Sequence, residues 1–470
     1  MSRDTFICEA ANVLLQSSWT PRLASAGANA AERVVLALAD DIIEGRLAGG
    51  DRLPAHRDLA KTLQIGLGTV TKAYAILERR GLTRSVKGRG TFVAIHQARS
   101  DRLIDLSANA PPAALDARVL ARTLTGIARK IDADHFNLYA PPGGHLEHRL
   151  VLARWLETGC LVVDPAHLVL TSSARQALSL AFDLVCGRQG LLLTERITYP
   201  GAIALARRKG YRIQGVEIDA EGMVPQALAH ALSGAGPAGG TAVYLTPTLH
   251  NPTTATMSVA RRQLIVDVCR RAGAWIIEDG VYAASSPGLP QLATLAPDIS
   301  LHVNGLSKSL GPGLQIGMLA LPAELHGAAQ DLLQDVPMAP SAFSCAVVNE
   351  WLATGVVASI QRDLRHEARR RSKLAVSLLG ASELAWHPDA YNVWLPMSRD
   401  AADGVVSAAA EIGLKLTPPH TMMVSQRDRA SGLRICMGGP RLDELTESLA
   451  LLAALLKRKN AGPRGSGGKR

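Results

Sequence analysis

One lysine in this chain stands where an amine could do chemistry. Lys308 lies in "NGLSKSLGPGLQIG", residues 304–317, between Ser307 and Ser309. An apolar run, "ISLHVNG", precedes it, and a glycine-rich run follows. The pattern predicts a buried strand whose end delivers the lysine into a flexible loop. A buried amine is costly without a partner, and burial and neighbouring charges tune its proton affinity. Other groups suit the same chemistry. Asp279 ends the run "AWIIEDG", and a carboxylate there could hold a proton on a ring nitrogen. Tyr282, three residues on, offers a phenol to a ring oxygen, and Asn251 in "HNPTT" offers an amide. Ser173, Ala174 and Arg175 in "TSSARQAL" fall where a strand turns into a helix. Free N–H groups and the helix dipole favour a phosphate there. Tyr199 in "ERITYPG" could cover a ring face, and Ser307 adds a hydroxyl beside the lysine. Together these groups suit a phosphorylated ring aldehyde. Each also has an ordinary reading: Asp279 as a helix cap, Tyr282 as a core residue, "NPTT" as a turn and Lys308 as a surface charge.

These groups need a scaffold to converge. Over residues 104–458, short apolar runs alternate with helical patterns: "HLVLTS", "GLLLTE", "YRIQGVEI", "TAVYLTP", "AWIIEDG" and "ISLHVNG". That alternation predicts an α/β domain with a largely parallel sheet, whose ligands sit beyond the carboxyl ends of its strands. After about Leu378 a smaller α+β region is expected. Residues 31–95 read differently, as three helices and a hairpin. "ERVVLALADDIIEG" has Val35, Leu38, Ala39 and Ile42 at helical spacing and stops at Gly45. "AHRDLAKTL" is a second helix. "GTVTKAYAILERRG" is a third, with Val70, Ala73, Tyr74 and Leu77 on one face. Two strands flank a Lys-Gly-Arg-Gly turn. Residues 1–30 form an extension, 96–103 a linker, and 459–470 a basic, glycine-rich tail expected to be disordered.

Length and composition set the bounds. A chain of 470 residues is too long for one core, and 47% hydrophobic residues are enough for packed domains. The net charge of +10 suits an acidic partner such as nucleic acid. The six cysteines are scattered and form no CxxC pair, so no metal site is expected and free thiols are. "MSRDTFICEAANVLLQSS" is a poor signal peptide, and "LALLAALL" is far short of a membrane span. A cytoplasmic protein without membrane contact is expected.

Two short helices before a third with a polar face is a geometry that enters a major groove. The cations cluster late, at Lys72, Arg79, Arg80, Arg84, Lys87 and Arg89, as phosphate contacts on one face require. The stretch "GRLAGGDRLPAHRDLAKTLQIGLGTVTKAYAILERRGLTRSVKGRGTFV" resembles the GntR type of winged helix-turn-helix over its whole length. The resemblance implies that double-stranded operator DNA is the partner. It implies phosphate contacts from Arg57 and Thr69, and a wing tip, Lys87 to Arg89, whose Arg89 reaches the minor groove. The Ser-Arg pair that usually opens the family's recognition helix is replaced by Gly66 and Leu67. Leu67 cannot read guanine, so base readout is expected to shift to Thr71 and Lys72.

From Ile104 to Leu456 the chain resembles the fold type I aminotransferases. The points of match are "LYAPPGGHLEHR", "TSSARQAL", "TYPG", "HNPTT", "IIEDGVY", "GLSKSLGPGL" and "LRICMG", in that order. The resemblance implies pyridoxal phosphate anchored on Lys308, Asp279 on its pyridine nitrogen, and Tyr282 and Asn251 on its ring hydroxyl. It implies that Tyr139 reaches the cofactor phosphate of a second subunit in a homodimer, and that Arg434 clamps an amino acid carboxylate. Two positions depart from the pattern. Gly305 stands where a small hydroxyl residue is usual, and Gln315 where an arginine usually holds the phosphate. A GntR-type domain followed by an aminotransferase-like domain is the arrangement of the MocR regulators. The resemblance therefore implies a transcription regulator that senses an amino compound, or pyridoxal phosphate itself. Two other readings stay open: a working aminotransferase that carries a DNA-binding domain, and a scaffold that binds no cofactor.

Overall fold

The computed structural model describes residues 19, 29–43, 46–47, 50–79, 82–86, 90–93, 103–130, 134–137, 139–187, 190–234, 240–285, 287–335 and 339–460. The chain divides into two compact units, Met1–Arg102 and Leu103–Arg470.

The first unit is built on three helices, α1 (Ala30–Ile43), α2 (His56–Leu63) and α3 (Leu67–Arg79). Asn29 accepts the Glu32 N–H at 3.0 Å and so caps α1. Gln64 ends α2 in the left-handed region at φ 53°. Val34, Val35 and Leu38 of α1 pack on Leu59 of α2 and on Val70, Ala73, Tyr74 and Leu77 of α3. These residues recur every three or four positions, so one face of each helix closes the core. The Tyr74 hydroxyl donates to Pro54 O at 2.9 Å, which satisfies its one buried polar atom. Strands β1 (Thr83–Val86) and β2 (Gly90–Val93) pair antiparallel. The turn joining them, with Lys87 and Arg89, lies outside the described residues, as does Gly45.

The second unit is organised by a seven-stranded sheet. Its strands are β3 (Leu168–Thr171), β4 (Leu191–Glu195), β5 (Arg212–Val216), β6 (Thr241–Leu245), β7 (Trp275–Asp279), β8 (Ser300–Gly305) and β9 (Gly317–Ala320). Their order across the sheet is β3-β9-β8-β7-β6-β4-β5. All neighbours are parallel except β9, which runs against both β8 and β3. The reason is the short link: residues 306–316 cannot hold the helical crossover that a parallel return needs. The apolar run read as one strand, "YRIQGVEI", is divided. Arg212–Val216 joins the sheet, whereas Ile218–Asp219 folds into a hairpin with Gly222–Met223, where Gly222 sits at φ +100°.

Alternate residues serve opposite faces. Ala242 and Tyr244 of β6 pack under α4 (Ala174–Val185), while Val243 and Leu245 pack on α5 (Val259–Ala272). Both faces are covered, so the central strands are mostly apolar, and the polar residues within them, such as Glu278 of β7 and His302 of β8, are buried. The smaller region pairs β10 (Asn392–Ser398) with β11 (Ala430–Cys436), antiparallel, and covers them with helices that include Leu442–Asn460. One long helix, α6 (Val356–Leu379), spans the parts: Val357, Ile360 and Leu364 pack with the large part, and Ala375 with the small one.

The sheet leaves no room for a side chain at the end of β8 or the start of β9. A Cβ on Gly317 would overlap the backbone of Ser173 and Ala174, and one on Gly305 would meet Ala174 Cβ at 2.9 Å. Gly317→Ala is therefore expected to lower unfolding free energy in urea by at least ~2 kcal/mol. Gly313→Ala, with nothing within 4 Å of the new Cβ, should change it by less than ~0.5 kcal/mol. Equal effects would show that the hairpin is free to move off α4.

Candidate functional site

The carboxyl ends of β6, β7 and β8 open into a cavity of about 480 Å3. β8 ends at Gly305, and one turn of 3-10 helix, Leu306–Lys308, carries Ser307 and Lys308 to its wall. β7 ends at Asp279 and carries Val281 and Tyr282 there. β3 turns at Ser173 into α4, whose first N–H groups have no partner within the helix. Ser173 Oγ accepts Gln176 N–H at 3.3 Å and fixes that turn. Arg175 and Tyr199 stand at the same wall, joined by an Nη2–hydroxyl bond of 3.1 Å. Asn251 and Arg434 complete it, the arginine reaching in from β11. Tyr139 is fully exposed and does not line the cavity. Gln315 is also exposed, in the left-handed region at φ 51°, and stands outside the cavity wall.

The structure adds residues that the sequence reading missed. Tyr244 of β6, fully buried, donates its hydroxyl to Asp279 Oδ2 at 2.8 Å. The parallel register pairs Tyr244 with Ile277, so Asp279, two residues on, shares its face. Asn109 donates to the Tyr282 hydroxyl at 2.8 Å and to Asn392 Oδ1 at 3.1 Å, and its carbonyl accepts Lys308 Nζ. The Tyr391 hydroxyl donates to Lys308 O at 2.9 Å. Arg434 gives Nη1 to Asn251 Oδ1 at 2.8 Å and Nη2 to Ser107 O at 2.8 Å and Thr417 Oγ1 at 2.9 Å. No local motif marks Asn109 or Tyr244: one is an amide in a loop and the other an aromatic in an apolar strand.

Burial drives both central charges toward neutrality. It raises the Asp279 pKa from its ordinary 3.8, against the pull of the Tyr244 hydrogen bond. It lowers the Lys308 pKa from 10.5, with Cys436, Arg434 and Asp279 as smaller influences. Both shifts follow from the cost of ions in a dry site. Three buried polar atoms of residues lining the cavity, Asn109 Oδ1, Thr246 Oγ1 and Arg434 Nε, have no hydrogen-bond partner. Such atoms point to a polar ligand. A phosphorylated pyridine aldehyde fits this donor set: an amine, a buried carboxylate, a phenol, two amides and a helix N-terminus.

Comparison with known proteins agrees. Residues 101–450 match the aminotransferase class I and II family, and residues 30–93 the gntR family of bacterial regulatory proteins. The chain belongs to the class I and II aminotransferase family. An archaeal alanine:glyoxylate aminotransferase has the same fold, with a TM-score of 0.70 and 23% identity over 83% of this chain and 95% of its own. Two relatives that align over most of this chain are named as transcriptional regulators. The HTH-type transcriptional regulator YdeF of Bacillus subtilis is 24% identical over 93% of this chain and 97% of its own. The vitamin B6 salvage pathway transcriptional repressor PtsJ of Salmonella typhimurium is 29% identical over 76% and 83%. A GntR domain followed by an aminotransferase domain is the MocR architecture, and this chain is an HTH-type transcriptional regulator of that kind. Among the described residues no single helix is long and apolar enough to cross a membrane.

The shift at Asp279 has a testable sign. Its native pKa lies above the unfolded one, so the native state holds the proton more tightly. The cofactor-free protein should lose stability as pH rises from 3.8 through the native pKa of Asp279. Asp279→Asn, which can still accept from Tyr244, should remove that loss. Urea unfolding at pH 4 and pH 7 checks this: the variant should gain on the wild type between the two. A parallel pH dependence would mean that Asp279 is ionised without cost.

Proposed function

We propose that pyridoxal phosphate is held on Lys308 and that the state of this site controls DNA binding by the amino-terminal unit. One observation carries the reading: a single chain joins a GntR-type unit to a cavity that gathers Lys308, Asp279, Tyr282, Asn251 and Arg434. In this reading Asp279 holds the proton on the ring nitrogen, positioned by Tyr244. Tyr282 and Asn251 donate to the ring oxygen, and Tyr199 covers the ring. Ser173, Ala174 and Arg175 take the phosphate, with Ser307 beside them. When bound, the cofactor supplies an aldehyde that condenses with amines and a ring that withdraws electrons. The lowered pKa of Lys308 favours the neutral amine that such condensation needs.

The favoured effector is pyridoxal phosphate itself, so that occupancy is the signal. Gln315 gives no charged grip on the phosphate, and a charge-assisted contact of that kind contributes about 1.5–3 kcal/mol. A looser grip suits a site that must empty as well as fill. That PtsJ is named for vitamin B6 salvage supports the same effector. An amino acid is the second reading, favoured by Arg434, whose Nε has no partner. A homodimer belongs to this proposal: Tyr139 is fully exposed and does not line its own cavity, which supports a role toward a second copy.

Any effector shifts DNA binding only by its difference in affinity between the two states. The test is a DNA mobility shift at fixed salt with the purified chain, read beside its visible absorption. Added pyridoxal phosphate should create a visible band and change DNA affinity at least about fivefold, the low end of usual couplings. Lys308→Ala should lose both. A band without a change in affinity would sink the sensing reading, and turnover of an amino acid with a keto acid would favour the enzyme instead.

A further inference from the structure

The outward face of α3 carries almost nothing that can hydrogen-bond a base. Leu67, Thr71 and Ala75 recur every four residues, which sets them in one line along the helix, and all three are exposed. Leu67, the first residue of α3, is 45% exposed. Gly68 beside it has nothing within 4 Å of where a Cβ would stand, and Gly66 only Thr69 Oγ1, at 3.7 Å. Thr71 has a hydroxyl, but it donates to Leu67 O at 3.0 Å and lies 3.4 Å from His56 Nδ1. Its one proton is spent there, so toward a base Thr71 offers no donor, only its methyl and an acceptor oxygen. Among the described side chains of α3, Lys72 is the one exposed cation, and the exposed Glu78 is bound to Ser85. A merely solvated face would be charged. This one is apolar at the end that a recognition helix presents.

In the major groove only thymine, of the four bases, shows a methyl group, and apolar side chains are what meet it. We infer that α3 reads thymine: Leu67, the Thr71 methyl and Ala75 pack on the C5 methyls of an operator half-site. Lys72 supplies the charge beside them. From Leu67 to Ala75 the helix rises about 12 Å, enough to face three or four base steps at about 3.4 Å each. Gly66 and Gly68 add no side chain to hold the helix end away from the bases. The readout expected at Thr71 from the sequence thus stays with that residue, as a methyl contact. The inference rests on DNA binding by this unit.

The test uses the full-length chain with pyridoxal phosphate present. Duplexes are selected from a random pool, and affinities are measured by fluorescence anisotropy at one salt concentration. Selected half-sites should share thymines within three or four adjacent steps. Replacing each by deoxyuridine, which lacks only the methyl, should weaken binding about fourfold, the equivalent of ~0.8 kcal/mol for one buried methyl-sized group. In Leu67→Ala the penalty at one thymine should vanish while the others persist. In Leu67→Arg the preference at that step should move to guanine. Both variants change an exposed residue, so melting curves should match the wild type. Equal affinity for thymine and uracil duplexes overturns the inference, as do selected sites without shared thymines. A pool with no enrichment, bound only in a salt-sensitive way, overturns instead the specific DNA binding on which it rests.

Discussion

The second unit depends on a close approach of backbone to backbone. The β8–β9 hairpin lies against the Ser173–Ala174 turn so tightly that neither Gly305 nor Gly317 can carry a Cβ without overlap or strain. That contact joins two things a cofactor site must hold at a fixed separation, the amine of Lys308 and the amino end of α4. It also explains a departure in the sequence. The hydroxyl usual at position 305 has no space here, because the Ala174 methyl already fills it. Gly305 and Ala174 are one steric solution, and neither can be judged without the other.

The charges in the cavity follow from the same closeness. A dry pocket holding a carboxylate and an amine normally pairs them or neutralises them. Here Asp279 is held by the Tyr244 hydroxyl and Lys308 by a backbone carbonyl, and burial moves each toward its neutral form. Further back, Glu195 is fully buried and pushed up to about 7, and it accepts from Thr246 N–H at 2.8 Å and Thr198 Oγ1 at 3.0 Å. The Thr246 bond ties the end of β4 to the segment that follows β6. Of the two buried carboxylates, Asp279 faces the cavity and Glu195 does not.

Much of this architecture was legible in the chain. The apolar runs of β3, β4, β6, β7 and β8 stand out, because a strand buried on both faces is mostly apolar and carries few polar residues, such as His302 in β8. The glycine-flanked lysine and the Ser-Ala-Arg turn were also visible, since backbone requirements constrain them locally. What escaped was set by distance along the chain. Asn109 meets Tyr282 across 173 residues, Asn251 meets Arg434 across 183, and Ser107 meets Arg434 across 327. No window on the sequence contains both partners. β9 was hidden because "GMLA" is too short to show a period, and its direction comes from the length of the link before it.

The cavity wall is made by parts that can respond together. Asp279 ends β7, and Tyr282 and Lys308 follow strands of the large sheet, whereas Arg434 stands on β11 of the small region, paired with β10, which begins at Asn392. Asn109 bridges Tyr282 to Asn392, Asn251 bonds Arg434, and Asn392 donates to Pro252 O at 2.8 Å. Any ligand in the cavity therefore touches a seam, and its contacts weigh on the setting of one part against the other. α6 runs from the core of the large part into that of the small one, and a packed helix transmits strain because an interior this dense does not yield locally. An enzyme can use such a seam to close over a substrate. A regulator needs only that two settings differ in energy and that the ligand prefers one. The same construction serves both, so what distinguishes this chain as a regulator is the DNA-binding unit joined to it, not any group missing from its cavity.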